Sequence, residues 1–190
     1  MKIFKVLPVI ALMLFAGCGG GSQEQAGEQE TQMETADDVR TIDIVGTNSM
    51  KFGVTEGSDG LTVGDQLPAE NDLVRLQTIT AAPGETIRIN LTTRSTMPAQ
   101  AMAHNWVLLA LGTDLQAFAD ASGTARDNDY IAQDMMDAVV AQTGLAGGGE
   151  TVSVTFTVPE ETGEYDYLCT FPGHFAAGMA GKLVVEESQM

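Results

Sequence analysis

From Thr86 to Thr92 apolar and polar residues alternate, with Ile87, Ile89 and Leu91 set against Arg88, Asn90 and Thr92. A period of two sends successive side chains to opposite faces, so this segment reads as a strand with one buried face. Thr151 to Val158 repeats the pattern, placing Val152, Val154, Phe156 and Val158 together. Thr41-Ile42-Asp43-Ile44 and Arg75-Leu76-Gln77-Thr78-Ile79 are weaker versions, and His104 to Leu111 and Gly181 to Val185 are short apolar runs suited to central or closing strands. Pro83-Gly84, Gly147-Gly148-Gly149, Pro159 and Gly163 punctuate these runs. Several short antiparallel strands predict an all-β fold, a Greek-key β-sandwich or barrel. Only residues 113–143 depart from it, being rich in Ala, Asp, Gln and Met. Asp114 is placed to cap a short helix through Phe118, and 130–142 reads as a second helix. This helical insertion would cover one side of the sandwich.

The chain has 190 residues, 26 acids and nine bases, for a formal charge of −17. That balance excludes a nucleic-acid binder, which needs a basic face. Hydrophobic residues make up 44%, too many for a wholly disordered protein. Two cysteines and two histidines exclude a four-thiolate zinc or iron–sulfur site and any multinuclear copper centre built from many imidazoles.

The N-terminus reads as an address. Lys2 and Lys5 precede an apolar run from Val6 to Gly17, too short to span a bilayer but of signal-peptide length. Leu14-Phe15-Ala16-Gly17-Cys18 resembles a bacterial lipoprotein signal, with Phe15 in place of the usual Leu. The expectation is a signal peptide over residues 1–17 and a lipid-bearing N-terminus at Cys18, which places the mature chain outside the cytoplasm, at a membrane face. Residues 18–40 contain Gly19-Gly20-Gly21-Ser22 and six acids (Glu24, Glu28, Glu30, Glu34, Asp37, Asp38) against Arg40. Such a segment cannot offset its ordering entropy by burial, and reads as a flexible acidic tether reaching roughly 25 Å. Residues 41–190 then form the domain, with 20 acids and six bases, long enough to bury a core without disulfides. Cys169 is its only cysteine. A lone thiol outside the cytoplasm is buried, metal-bound or a liability.

Cys169-Thr170-Phe171-Pro172-Gly173-His174 is followed by Met179, a Cys-x4-His-x4-Met spacing. Sixty-five residues upstream of Cys169 stands Met102-Ala103-His104-Asn105-Trp106-Val107. Taken singly, His104 reads as a hydrogen-bonded strand residue, Cys169 as a small buried hydrophobe, and Phe171 and Trp106 as core. Jointly they supply one thiolate, two imidazoles and one thioether. Cys169 ends a strand, Pro172-Gly173 makes a turn that returns His174 towards it, and Gly178 and Gly181 let the loop curl before the last strand. Two imidazoles and a thiolate with a distant thioether form the donor set of electron-transfer copper.

The two segments resemble those of the azurins, a family of the cupredoxins. The Cys-x4-His-x4-Met spacing is more similar to that of the auracyanins, since azurins have one residue fewer between the second His and the Met. The resemblance covers residues 41–190. It implies an eight-stranded cupredoxin-like Greek-key sandwich, with the helical insertion between the fourth and fifth strands, holding one type 1 copper. Carried over, His104, Cys169 and His174 are the strong ligands and Met179 the weak axial one. The backbone carbonyl of Ala103 would face the opposite axial side, where azurins usually have Gly. Asn105 would tie the ligand loops together, its backbone amide and that of Phe171 donating towards the sulfur. The disulfide that azurins tend to carry near the N-terminal strands is missing.

The function implied is outer-sphere transfer of one electron between Cu(II) and Cu(I), with redox proteins such as cytochromes as transient partners, a lipid anchor as the membrane contact, no small-molecule substrate and no enzymatic step. His174 would place a ring edge near the surface, and Met102, Phe171, Phe175 and Ala176 would form an apolar docking rim. The acids are scattered rather than clustered at the ligand loops, which favours general surface adaptation over steering of a basic partner. Two other classes compete: a thiol enzyme using Cys169 and His174 as nucleophile and base, which leaves His104 and Met179 without a role, and a lipoprotein holding zinc, or copper for storage, without redox function.

Overall fold

The structure, a computed structural model, describes residues 39–55 and 60–187. The signal peptide and Cys18 lie outside the described residues, as does the tether up to residue 38. Ten strands are present among the described residues: β1 (Arg40–Thr47), β2 (Phe52–Val54), β3 (Leu61–Leu67), β4 (Glu70–Ala81), β5 (Thr86–Arg94), β6 (Val107–Leu109), β7 (Val139–Gln142), β8 (Thr151–Thr157), β9 (Gly163–Leu168) and β10 (Ala180–Val185). They follow the order β7-β6-β9-β10-β4-β2-β1-β5-β8, with β3 attached to β4. The two ends of this path, β7 and β8, approach each other, so the sandwich is nearly a closed barrel.

The period-two segments are strands with the expected inner faces. Ile87, Ile89 and Leu91 of β5 are fully buried, while Val152, Val154 and Phe156 of β8 are half-buried because β8 ends the sheet path. Each fully buried aliphatic side chain contributes about 1.5–3 kcal/mol. The sheet is mixed rather than wholly antiparallel. β1 runs parallel to β5, setting Ile42 beside Ile89 and Ile44 beside Leu91, and β10 runs parallel to β4. Ten strands replace the expected eight because the short β2 and the irregular β3 both pair with β4. Pro83-Gly84 makes the β4–β5 turn, with Gly84 at φ +72°. The Glu85 carboxylate closes that turn on the Ala82 amide and pairs with Arg40 at 2.6 Å.

The insertion is only partly helical. Asp114 caps α1 (Leu115–Thr124) through Ala117 N–H, and the helix runs past Phe118 because Ala and Ser continue it. Phe118 is buried with Val107, Leu109, Ile131 and Leu168, so α1 covers one side of the sheet. The expected second helix is corrected by the structure: 133–138 is a 3-10 segment, and Val139–Gln142 is β7, paired with β6. Asp129 and Tyr130 both have positive φ, which stops a helix starting there, and the β-branched Val139 and Val140 complete a strand on the open side of β6. In the main core the Trp106 ring packs at a tilt 5.5 Å from Tyr167, which meets Phe52 edge-on at 5.6 Å.

Candidate metal centre

β9 and β10 are antiparallel neighbours, and residues 169–179 form the loop between them. Cys169 follows the last residue of β9 and Met179 precedes the first of β10, and the Cys169 amide donates to the Met179 carbonyl at 3.0 Å. The base of the loop is therefore a cysteine–methionine pair. Inside it the His174 amide donates to Phe171, and the Met179 amide donates to His174, both at 3.0 Å. Gly173 and Gly178, at φ +84° and +85°, take backbone shapes that L side chains resist. These bonds fold His174 back over Cys169. His104 arrives on another segment, bridged to Ala146 by reciprocal backbone bonds of 2.9 and 2.8 Å.

The Cys169 sulfur lies 3.8 Å from His104 Nδ1 and 3.4 Å from His174 Nδ1. The donor atoms of these three residues all lie within 4.8 Å of one another. Metal–donor bonds are about 2.0–2.3 Å, so donors at this spacing suit one shared ion. His104, Cys169 and Met179 are fully buried and His174 is 2% exposed. Met179 packs in the same core cluster as Ala103, Cys169 and Phe171. The structure thus brings together the histidines and the cysteine singled out by sequence, with the methionine alongside.

Burial holds the His104 pKa down to about 3, helped by the neighbouring His174, while the Thr47 backbone pulls the other way. Burial likewise lowers His174 to about 4. Both rings are therefore neutral at pH 7, each with one ring nitrogen able to offer a lone pair to a cation. The Cys169 thiol is pushed up to about 12 by burial, opposed by hydrogen bonds from the backbone of Asn105 and Phe171. Without a cation the sulfur keeps its proton; a cation between the donors replaces that proton. The donor set fits copper: soft sulfur for Cu(I), imidazole for both oxidation states.

Asn105 links the two ligand segments. Its amide donates to Thr170 Oγ1 at 2.7 Å and to the Asp129 carbonyl at 3.2 Å, and its oxygen accepts from the Thr170 amide at 2.9 Å. Sequence reading missed Gly46. A Cβ there would sit 2.5 Å from the His104 ring, so β1 must be glycine where the imidazole crosses it. The detectable signal was a glycine inside an apolar strand pattern. Tyr130, also missed, packs edge-on against Phe171 at 5.0 Å. The expected rim is partly sunk. Met102 and Phe171 are 7% and 6% exposed, Phe175 is half-buried, and only Ala176 is open, beside exposed Pro172 and Gly173. Among the described residues no helix is long and apolar enough to cross a membrane.

A barrel-like β-sandwich with a buried His/Cys/His group and an adjacent methionine defines a cupredoxin, a copper protein that carries electrons. The model of the copper binding proteins of the plastocyanin/azurin family matches residues 62–186, and the chain belongs to that family. It is 30% identical to auracyanin-A of Chloroflexus aurantiacus over 97% of its own length and 96% of that protein's. It is 44% identical to azurin-1 of Alcaligenes xylosoxydans xylosoxydans over 46% of this chain and 69% of the relative. The solved structure of auracyanin A, a "blue" copper protein, superposes with a TM-score of 0.57, covering 78% of this chain and 99% of that one. An azurin from Methylomonas sp. strain J superposes at 0.58 with 25% identity, covering 78% and 98%. The protein is a blue copper electron carrier with one type 1 copper, working with redox partners, and is not an enzyme.

Proposed function

We propose that His104, Cys169 and His174 are the strong ligands of the copper, Met179 the weak axial one, and the Ala103 carbonyl a distant contact opposite it. The convergence of three buried donors within 4.8 Å carries this reading. Copper supplies a one-electron Cu(II)/Cu(I) couple. The chain supplies neutral imidazoles, a sulfur steadied by the amides of Asn105 and Phe171, and a loop held by Asn105 and the Cys169–Met179 backbone bond. Ligands fixed by their outer hydrogen bonds move little when the charge of the site changes, which keeps reorganisation small.

Electrons leave through His174, which is 2% exposed in a loop whose Pro172, Gly173 and Ala176 are exposed. Transient partners, cytochromes among them, dock on this surface, with Met102 and Phe175 as further residues of the docking rim; small interfaces suit redox encounters. The protein acts outside the cytoplasm, held to a membrane by a lipid on Cys18. The apolar run before Cys18 and the acidic tether after it support this reading.

Titration of the purified protein with Cu(II) tests the ligand assignment. The expected result is an intense visible thiolate-to-copper band that is lost in Cys169→Ser. A colourless, redox-inert protein would overturn it in favour of zinc binding or copper storage.

A further inference from the structure

The hairpin joining β1 to β2 reaches the metal centre from two sides. Gly46 and Thr47 border His104, and four residues on, Lys51 turns to the opposite ligand segment. The turn is closed by the Thr47 amide donating to the Lys51 carbonyl at 3.1 Å, with Met50 at φ +56°. Its geometry delivers the Lys51 ammonium to the carbonyl of Ala177, with a second, longer bond to the Met50 carbonyl at 3.4 Å. From β4, Arg75 donates to the carbonyl of the next residue, Gly178, at 3.3 Å. A Cβ on Gly178 would lie 3.6 Å from Lys51 Nζ and 4.0 Å from Arg75 Nη2, so the two cations close on the consecutive carbonyls on either side of the Gly178 α-carbon.

This arrangement runs against the charge balance of the chain. Acids outnumber bases 26 to nine. Arg94 and Lys182 each pair with carboxylates. Among the described residues Lys51, Arg75, Arg88 and Arg126 pair with none, and of these Lys51 and Arg75 meet neighbouring carbonyls of the same loop. Partial burial, and after it repulsion from Arg75, lowers the Lys51 pKa. Two like charges held together without a carboxylate cost stability unless the carbonyls they grip offset it. The gripped residues, 177 and 178, immediately precede Met179.

We propose that Lys51 and Arg75 are positioning residues for Met179, a dicationic clamp on the 177–178 carbonyls that fixes where its thioether sits relative to Cys169 and the two histidines. The proposal rests on Met179 being the axial ligand. The clamp also sets two positive charges near the centre, which favours the reduced, less positive state of the site.

Lys51→Gln and Arg75→Gln keep a donor while removing the charge, and Lys51→Met removes both. Two measurements decide. In the metal-free full chain, amide hydrogen exchange at Gly178 and Met179 is expected to quicken about tenfold in Lys51→Met, as for loss of one charged hydrogen bond, and less in the Gln variants. In the copper-loaded protein, the copper hyperfine splitting in electron paramagnetic resonance is expected to change in Lys51→Met. A third reading, the reduction potential, is expected to fall in all three variants, and an unchanged potential overturns the effect of the two charges on the centre. Unchanged exchange at 178 and 179 in every folded variant overturns the clamp. Faster exchange with an unaltered copper signature overturns the positioning role. Met179→Leu separates the two readings: an unaltered reduction potential there refutes axial ligation by Met179, whereas the exchange result still reports on the clamp.

Discussion

Asn105 and Thr170, 65 residues apart in sequence, are joined twice, by Asn105 Nδ2 donating to Thr170 Oγ1 at 2.7 Å and by the Thr170 amide donating to Asn105 Oδ1 at 2.9 Å. Each stands next to a donor of the metal centre, Asn105 after His104 and Thr170 after Cys169. The pair therefore sets the spacing between imidazole and sulfur before any ion arrives.

Asn105→Ala should remove these bonds and orphan the buried Thr170 amide. A buried unsatisfied group costs about 1–3 kcal/mol, so metal-free stability should fall by about 2–4 kcal/mol, read by urea unfolding. Copper affinity should drop about 10–100-fold, as for loss of an outer hydrogen bond to a ligand shell. Competition with a copper chelator measures the second effect.

Acid should destabilise the metal-free protein through its histidines. Their folded pKa values, about 3 for His104 and about 4 for His174, lie below the unfolded value of 6.5. The unfolded chain therefore binds protons first, and stability falls as pH drops below 6.5 until the folded values are reached. Each histidine contributes up to about 1.4 kcal/mol per pH unit. Cys169, raised from 9.0 to about 12, acts in the other direction, costing stability as pH climbs above 9. Unfolding followed from pH 8 to pH 4 should show the acid slope in metal-free protein and a steeper one with copper bound, because copper keeps both rings and the Cys169 sulfur unprotonated in the folded state while the unfolded chain takes up those protons. A metal-free stability that does not change between pH 6.5 and pH 4 would refute the role of these rings.

Gly46→Ala should displace the His104 ring, since the new Cβ would lie 2.5 Å from it and 2.7 Å from its Cγ. Overpacking of this kind costs about 1–3 kcal/mol. Copper affinity should fall with it, whereas Gly123→Ala, where nothing lies within 4 Å and φ is not positive, should leave affinity unchanged.

Ala176→Asp should slow electron transfer to a partner while leaving the visible spectrum intact, because Ala176 is exposed on the ligand loop and holds no donor. Stopped-flow rates at several ionic strengths check both this and the role of the acids. Scattered acids predict a shallow salt dependence, and a steep one would restore electrostatic steering of a basic partner.

The sequence alone determined the chemistry and the class of fold. With one domain cysteine and two histidines, the donor types were nearly forced, and strict alternation in 86–92 and 151–158 marked the inner faces of β5 and β8. Tertiary structure alone decided what depends on neighbours distant in the chain. Residues 139–142 became a strand because β6 lacked a partner on that side, although the local composition suggested helix. Gly46 matters because the His104 ring crosses it, and Lys51 and Arg75 because their cations land on one loop. Spacing along a chain records which groups are available. Only packing determines which of them meet, since each such contact closes a long loop whose entropy the assembled core must offset.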